Sequence, residues 1–222
     1  MLVRTWNLFH GNTHPPQRRA FLRDMVRLVS ADTPDVVCLQ ELPVWALGYL
    51  EEWSGMQHVS AVARRPRLPL LGRWLTELDH GLFRSAFTGE ADAILAAQRF
   101  RLVDARTAVV SEHGLRRIVH GVRLGGDADG GIYVANAHIT GDESQLARVG
   151  EFVAEEPRVV VGGDLNLRGA GLPGFSPPLA DSIDQVLVRG LPAGTPRAWP
   201  EDRRRVHGRL LSDHAPVELE VE

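Results

Sequence analysis

Arg158-Val159-Val160-Val161-Gly162-Gly163-Asp164-Leu165-Asn166-Leu167-Arg168 is the stretch whose reading decides the fold. A run of β-branched residues fits a buried strand, and the polar residues after the glycines mark where that strand leaves the core. Alternation in extended chain turns Asp164 and Asn166 to one side. Gly162 and Gly163 are expected to let the backbone bend without a side chain in the way. A Gly-Asp-x-Asn run is also how an Asx turn after a strand reads. Both readings stand until the rest of the chain is considered.

Working outward, the same grammar recurs. Residues 2–9 alternate like a strand with Asn7 near its end, followed by the turn-like His10-Gly11-Asn12. Residues 35–41 form an apolar run that delivers Glu41, and residues 131–138 end in Asn136-x-His138. Residues 182–188 read as a further strand with Asp184 near its start, and Ser212-Asp213-His214 reads as a turn feeding an alternating edge strand. Pro15-Pro16 is expected to open a helix, with Phe21, Leu22, Met25, Val26 and Val29 at helical spacing and Thr33-Pro34 ending it. A short helix is expected from Pro43 through Trp53, and another over residues 144–154. Strands at 93–96, 100–110 and 117–124 are spaced like antiparallel neighbours. Residues 64–88, rich in Arg, Pro and Leu, read as an exposed excursion. No linker divides the chain, so a single domain over residues 1–222 is expected, with two packed sheets and helices outside them.

Composition sets bounds on function. With 222 residues, 44% of them hydrophobic and 24% charged, the chain can bury a substantial core. No signal peptide or membrane span is read, which makes the cytoplasm the expected location. Lone Cys38, between apolar neighbours, is expected to be a buried thiol rather than a nucleophile. The net charge of -3 excludes a surface that is basic all over. All 25 basic residues are arginine, a usage that reads as compositional bias of the encoding genome.

Trp6-Asn7, Leu39-Gln40-Glu41, Asn136-x-His138, Gly163-Asp164-x-Asn166, Ile183-Asp184-x-Val186-Leu187 and Ser212-Asp213-His214 follow one another in this order. As a set they resemble the endonuclease/exonuclease/phosphatase superfamily, the deoxyribonuclease I-like fold. The resemblance implies an α+β fold, a four-layer αββα sandwich of two mixed sheets flanked by helices. It also implies a metal-dependent hydrolase acting on phosphate esters. Phosphodiester attack by water needs charge neutralisation, an oriented nucleophile and help for the leaving oxygen.

The roles implied are these. Glu41 and Asp213, with Asn7 through its amide oxygen or a water, would hold Mg²⁺ or Mn²⁺. Asp164 would orient and deprotonate the attacking water, and Asn166 would bond the phosphate or fix Asp164; both could instead hold a second ion. His214 would contact the phosphate or act as general acid or base, its proton state held by Asp184. His138 would stabilise the transition state or serve the leaving oxygen, and Asn136 and Arg117 would contact substrate. The sequence departs from the family pattern at Phe9, where some nuclease members carry an acidic residue, and at Asp92, where asparagine is common.

Nuclease action is the first expectation, because Arg64, Arg65 and Arg67 and the run Arg203-Arg204-Arg205 could follow a phosphate backbone. A small-molecule or lipid-head-group phosphatase or phosphodiesterase is the alternative within the same chemistry. The alternative from another class is a non-catalytic phosphate-binding module, against which the full set of ionisable residues speaks.

Overall fold

A computed structural model describes residues 1–17, 20–67, 87–125 and 131–222. Most of the 64–88 excursion therefore lies outside the described residues, as do Arg18, Arg19 and part of the turn after Gly125.

The strands in chain order are β1 (Leu2–Asn7), β2 (Thr13–His14), β3 (Val36–Leu42), β4 (Gln57–Arg64), β5 (Glu90–Ala96), β6 (Arg101–Val109) and β7 (Ile118–Gly125). They continue with β8 (Ile132–His138), β9 (Val159–Asp164), β10 (Asp184–Arg189), β11 (Arg197–Ala198), β12 (Arg205–Val206), β13 (Arg209–Leu211) and β14 (Val217–Glu220). Among the described residues the α-helices are α1 (Leu22–Ser30), α2 (Leu50–Ser54) and α3 (Glu143–Phe152). One sheet runs β11-β14-β1-β3-β5-β4 and another β10-β9-β8-β7-β6, while β12, β13 and β2 form a small third sheet. In each large sheet one parallel pair, β1 with β3 and β8 with β9, sits among antiparallel ones.

Three apolar layers bind these elements into a four-layer αββα sandwich. Met25, Val26 and Val29 of α1 pack with Leu50 of α2 against Val37, Leu39 and Leu95 on the outer face of the first sheet. Val3, Val36, Cys38, Ile94, Val134, Val160 and Val186 fill the space between the sheets. Val149 of α3 packs on Val119, Ala135, Val161 and Leu187 on the outer face of the second sheet. The inner strands thus bury one set of alternate residues between the sheets and the other under helices, which explains the unbroken valine run at 159–161 of β9. No helix among the described residues is long and apolar enough to cross a membrane.

Several expectations change in detail. Helix α1 starts at Leu22 rather than at Pro15-Pro16, where the Asn12 side chain accepts from Thr13 and Gln17 N–H and pins the segment between them. Strand β4 was not expected: its inward residues are the small Ala61 and Ala63, while Val62 faces out. Strand β5 pairs with β3 and β4 rather than with the strand that follows it. Strand β14 is no edge, since β11 covers it on the side away from β1.

Gly162 and Gly163 make no bend; both lie inside β9. They are there for close approach. A Cβ on Gly162 would sit 2.8 Å from Cys38 Sγ, and one on Gly163 would sit 2.0 Å from the Ala137 carbonyl oxygen. Cys38 is buried and unpaired, and burial pushes its thiol up to about 12, which leaves it inert.

Candidate active site

The strand phase that fills the inter-sheet layer with valine places polar residues on the same face at one end. Counting by twos from Val3 reaches Asn7, from Val36 reaches Gln40, and from Ile94 reaches Asp92 and Glu90. The same count leads from Val134 to Asn136 and His138, from Val160 to Asp164, and from Val186 to Asp184. Register then aligns three of them, because His138 pairs with Asp164 across β8 and β9, and Asp164 pairs with Asp184 across β9 and β10.

Glu41 has the wrong phase for this face, since Gln40 occupies it. A register irregularity between Leu39 and Leu42, with Glu41 at φ 54°, re-aims the carboxylate. Its oxygens then lie 3.8 Å from His138 Nε2 and 3.6 Å from His10 Nε2.

Asp164 is the centre of the cluster and 1% exposed. Its Oδ2 accepts from Asn7 Nδ2 at 2.8 Å, and its Oδ1 accepts from Asn166 N–H at 3.0 Å. The Asx turn is therefore present and also functional in placement, because it orients the carboxylate that the two sheets enclose. His138 Nε2 and His214 Nδ1 approach Asp164 Oδ2 at 3.7 and 3.8 Å.

Each imidazole has a second carboxylate of its own. His214 Nδ1 lies 2.9 Å from Asp184 Oδ2. Burial pushes Asp184 up to about 6, and His214 rises to about 9 because Asp184, Asp164 and Asp213 outweigh the opposing effect of burial. The 2.9 Å contact sets Nδ1–H of His214 toward Asp184, and the surrounding carboxylates favour the imidazolium. His138 Nδ1 lies 3.0 Å from Arg117 Nη1 and 3.4 Å from Glu90 Oε1. Burial works against the Glu90 charge, yet contact with His138 and the Arg117 guanidinium hold its carboxyl at about 2. Asp92, 1% exposed, is the opposite case: burial wins and pushes it up to about 7.

Several expected site residues are held by the protein's own groups. Asn136 is fully buried; its amide nitrogen donates to Leu39 O and Ala93 O, and its oxygen accepts from Gln40, so it ties the two sheets together. The Asn7 amide oxygen accepts from Phe9 N–H at 2.9 Å. Asn166 is at φ 50° and its side chain donates to Ile139 O. Arg117 is bound up with Glu90 and His138. Asp213 is exposed at the mouth, with Oδ1 4.0 Å from His214 Nε2. The turn that carries it is set by Arg204, whose Nη1 donates to the carbonyls of Leu211, Ser212 and His214.

Glu90 and His10 join the cluster without having been singled out from sequence. Glu90-x-Asp92 ahead of an apolar strand repeats the acid-at-alternate-positions signal and was legible in principle. His10 was not, because it enters from a turn. As a candidate cation centre, one ligand atom each of Asp164, Asp184 and His214 lies within 4.8 Å of the others.

Two mixed sheets stacked face to face, with carboxylates and imidazoles gathered at one end of the layer between them, define the deoxyribonuclease I-like class. The chain matches the Endonuclease/Exonuclease/phosphatase family over residues 5–214 and belongs to it. No curated protein matches it. Among solved structures, a conserved protein of unknown function from Enterococcus faecalis V583 superposes with a TM-score of 0.75 at 17% identity, covering 100% of this chain and 99% of the other. Humanized D. rerio TDP2 gives 0.70 at 19% identity over 100% and 98% of the two chains. The mannosyl-6-phosphatase Bt3783 of Bacteroides thetaiotaomicron VPI-5482 gives 0.67 at 17% identity over 100% and 99%. These likenesses establish the fold.

Proposed function

We propose that this protein is a divalent-cation-dependent phosphoesterase that cleaves phosphodiesters. The observation that carries the reading is the placement of Asp164 between two imidazoles, each backed by its own carboxylate. Asp164 is the group that orients and deprotonates water. Asn7 and the Asn166 backbone direct its two oxygens, so that neither position is free to rotate. The His214 imidazolium, held by Asp184, binds a non-bridging phosphate oxygen. His138, fixed by Glu90 and Arg117, serves the oxygen that leaves.

The donor chemistry fits Mg²⁺ or Mn²⁺. Glu41 and Asp213 are hard oxygen donors whose side chains are 21% and 38% exposed, and among the described residues neither meets a guanidinium at ion-pair distance. A bound cation neutralises phosphate charge and favours ionisation of water. Asn7 donates to Asp164 and its amide oxygen accepts from Phe9 N–H, which leaves the second lone pair of that oxygen for the ion or a water on it.

For substrate class, the fate of the arginines favours a compact phosphate ester over a long nucleic acid. Arg204 is buried on backbone carbonyls, Arg203 is paired with Glu218 and Asp32, Arg205 with Glu201, and Arg64 with Glu90. Arg65 and Arg67 stay exposed. The test is turnover of a bis-nitrophenyl phosphodiester, an inositol phosphate, DNA and RNA with Mg²⁺, Mn²⁺ or a chelator. We expect chelator-sensitive turnover that Asp164→Ala abolishes without unfolding the protein; full activity in that variant refutes the assignment. A steep fall of binding with salt would return nucleic acid to first place.

A further inference from the structure

We propose that His10 binds the cation together with Glu41, making a mixed nitrogen and oxygen site that prefers first-row transition ions to Mg²⁺. This rests on the reading of Glu41 given above. His10 Nε2 lies 3.6 Å from Glu41 Oε2, too far for a hydrogen bond. Donors that each stand about 2.1 Å from one ion can be up to about 4.2 Å apart, so a single cation can span the two.

The backbone holds both donors in place. Phe9, His10 and Glu41 have φ of 48°, 54° and 54°, a left-handed conformation that residues with a Cβ rarely adopt. Such conformations persist where surrounding bonds over-determine them, and they gather at ligand sites. Here Phe9 N–H is held by Asn7 Oδ1, Gly11 N–H by Leu8 O, and Asn12 N–H by Phe9 O. His10 is 4% exposed, yet it faces acidic groups on two strands, Glu41 directly and Glu90 through its field. An imidazole buried against carboxylates at the mouth of a hydrolytic site suits a metal ligand. Imidazole nitrogen is a good partner for first-row transition ions, whereas Mg²⁺ takes oxygen and keeps its waters.

The full chain is titrated with Mn²⁺ alone and Mg²⁺ alone by calorimetry, and the bound Mn²⁺ is probed by pulsed paramagnetic resonance for coupling to a ring nitrogen. The wild type is expected to bind Mn²⁺ more tightly than Mg²⁺ and to show the coupling. His10→Gln should weaken Mn²⁺ by about 10–100-fold, leave Mg²⁺ within about threefold, and lose the coupling. Glu41→Gln should weaken both ions. If His10→Gln binds Mn²⁺ like the wild type while Glu41→Gln loses both ions, the His10 proposal is overturned and the Glu41 reading stands. If Glu41→Gln keeps both, the Glu41 reading falls and the proposal with it. Should His10→Gln fold poorly, the double variant His138→Gln, His214→Gln decides: coupling retained supports His10, and coupling lost overturns it.

Discussion

The layer between the two sheets has two ends built on the same strands. At one end Val3, Val36, Ile94, Val160 and Val188 are buried against each other. At the other, the same faces of β1, β3, β5, β9 and β10 carry Asn7, Gln40, Asp92, Asp164 and Asp184, all at most 3% exposed. Burial at the two ends is alike; what differs is the free energy of taking those groups out of water. The apolar end gains from it, while the polar end is tolerable only where each group finds a partner. Most do. Among the described residues Asp92 Oδ1, Gln40 Oε1 and His120 Nε2 have no hydrogen-bond partner. One end should therefore report on folding and the other on chemistry.

The sharpest way to test that division is at the polar end. Asp184→Asn keeps the shape and a hydrogen bond to His214 but removes the charge that holds it as an imidazolium. Turnover should fall by about 10²–10⁴-fold with the thermal midpoint within a few degrees of the wild type. Collapse of stability with it would erase the distinction. At the apolar end, Ile94→Ala should cost about 2–5 kcal/mol in a denaturant melt while turnover per folded molecule is retained. A comparable loss of turnover in well-folded protein would mean that the apolar end also sets the chemistry.

Another test, silent near neutral pH, concerns the boundary between the ends. His120 is 2% exposed, and burial pushes its imidazole down to about 3 from 6.5. Its folded value lies below its unfolded value, so the unfolded chain binds the extra proton between these two pH values. The share of stability that depends on a neutral His120 is complete above about pH 6.5 and is expected to be lost as pH falls toward 3, by at most about 1.4 kcal/mol per pH unit. His120→Leu should flatten that limb of the stability profile measured by urea midpoints. An unchanged slope would show that His120 does not set it.

Much of this arrangement was legible before any coordinates. Asn7, His138, Asp164 and Asp184 stand at strand ends in the right phase, and a period of two is all that is needed to bring them to one face. Glu41 was found by position in the chain, but its direction came from a bulge that local pattern does not announce. Asn136 fitted the pattern, but its bonds across the two sheets were not legible, because alternation predicts a face and says nothing about depth along it. The glycines at 162 and 163 were noticed for the wrong reason: glycine signals either a turn or a close contact, and only the neighbour across the sheet distinguishes them. Strand β4 escaped because its buried face is alanine, too weakly hydrophobic to mark a period. Runs of arginine are hard to read for a related cause, since charge along the chain does not reveal which side chains turn back onto their own backbone, as Arg204 does, and which stay exposed, as Arg65 and Arg67 do.

The close contact of Gly162 with Cys38 has a consequence for the site above it. Asn7 and Glu41 ride on one sheet and His138, Asp164 and Asp184 on the other, so the gap between the halves is the thickness of the core itself. Small side chains at that contact act as a spacer that sets how far apart the reacting groups stand. Enlarging one of them would widen the jaws from below, altering reactivity without touching a single polar atom.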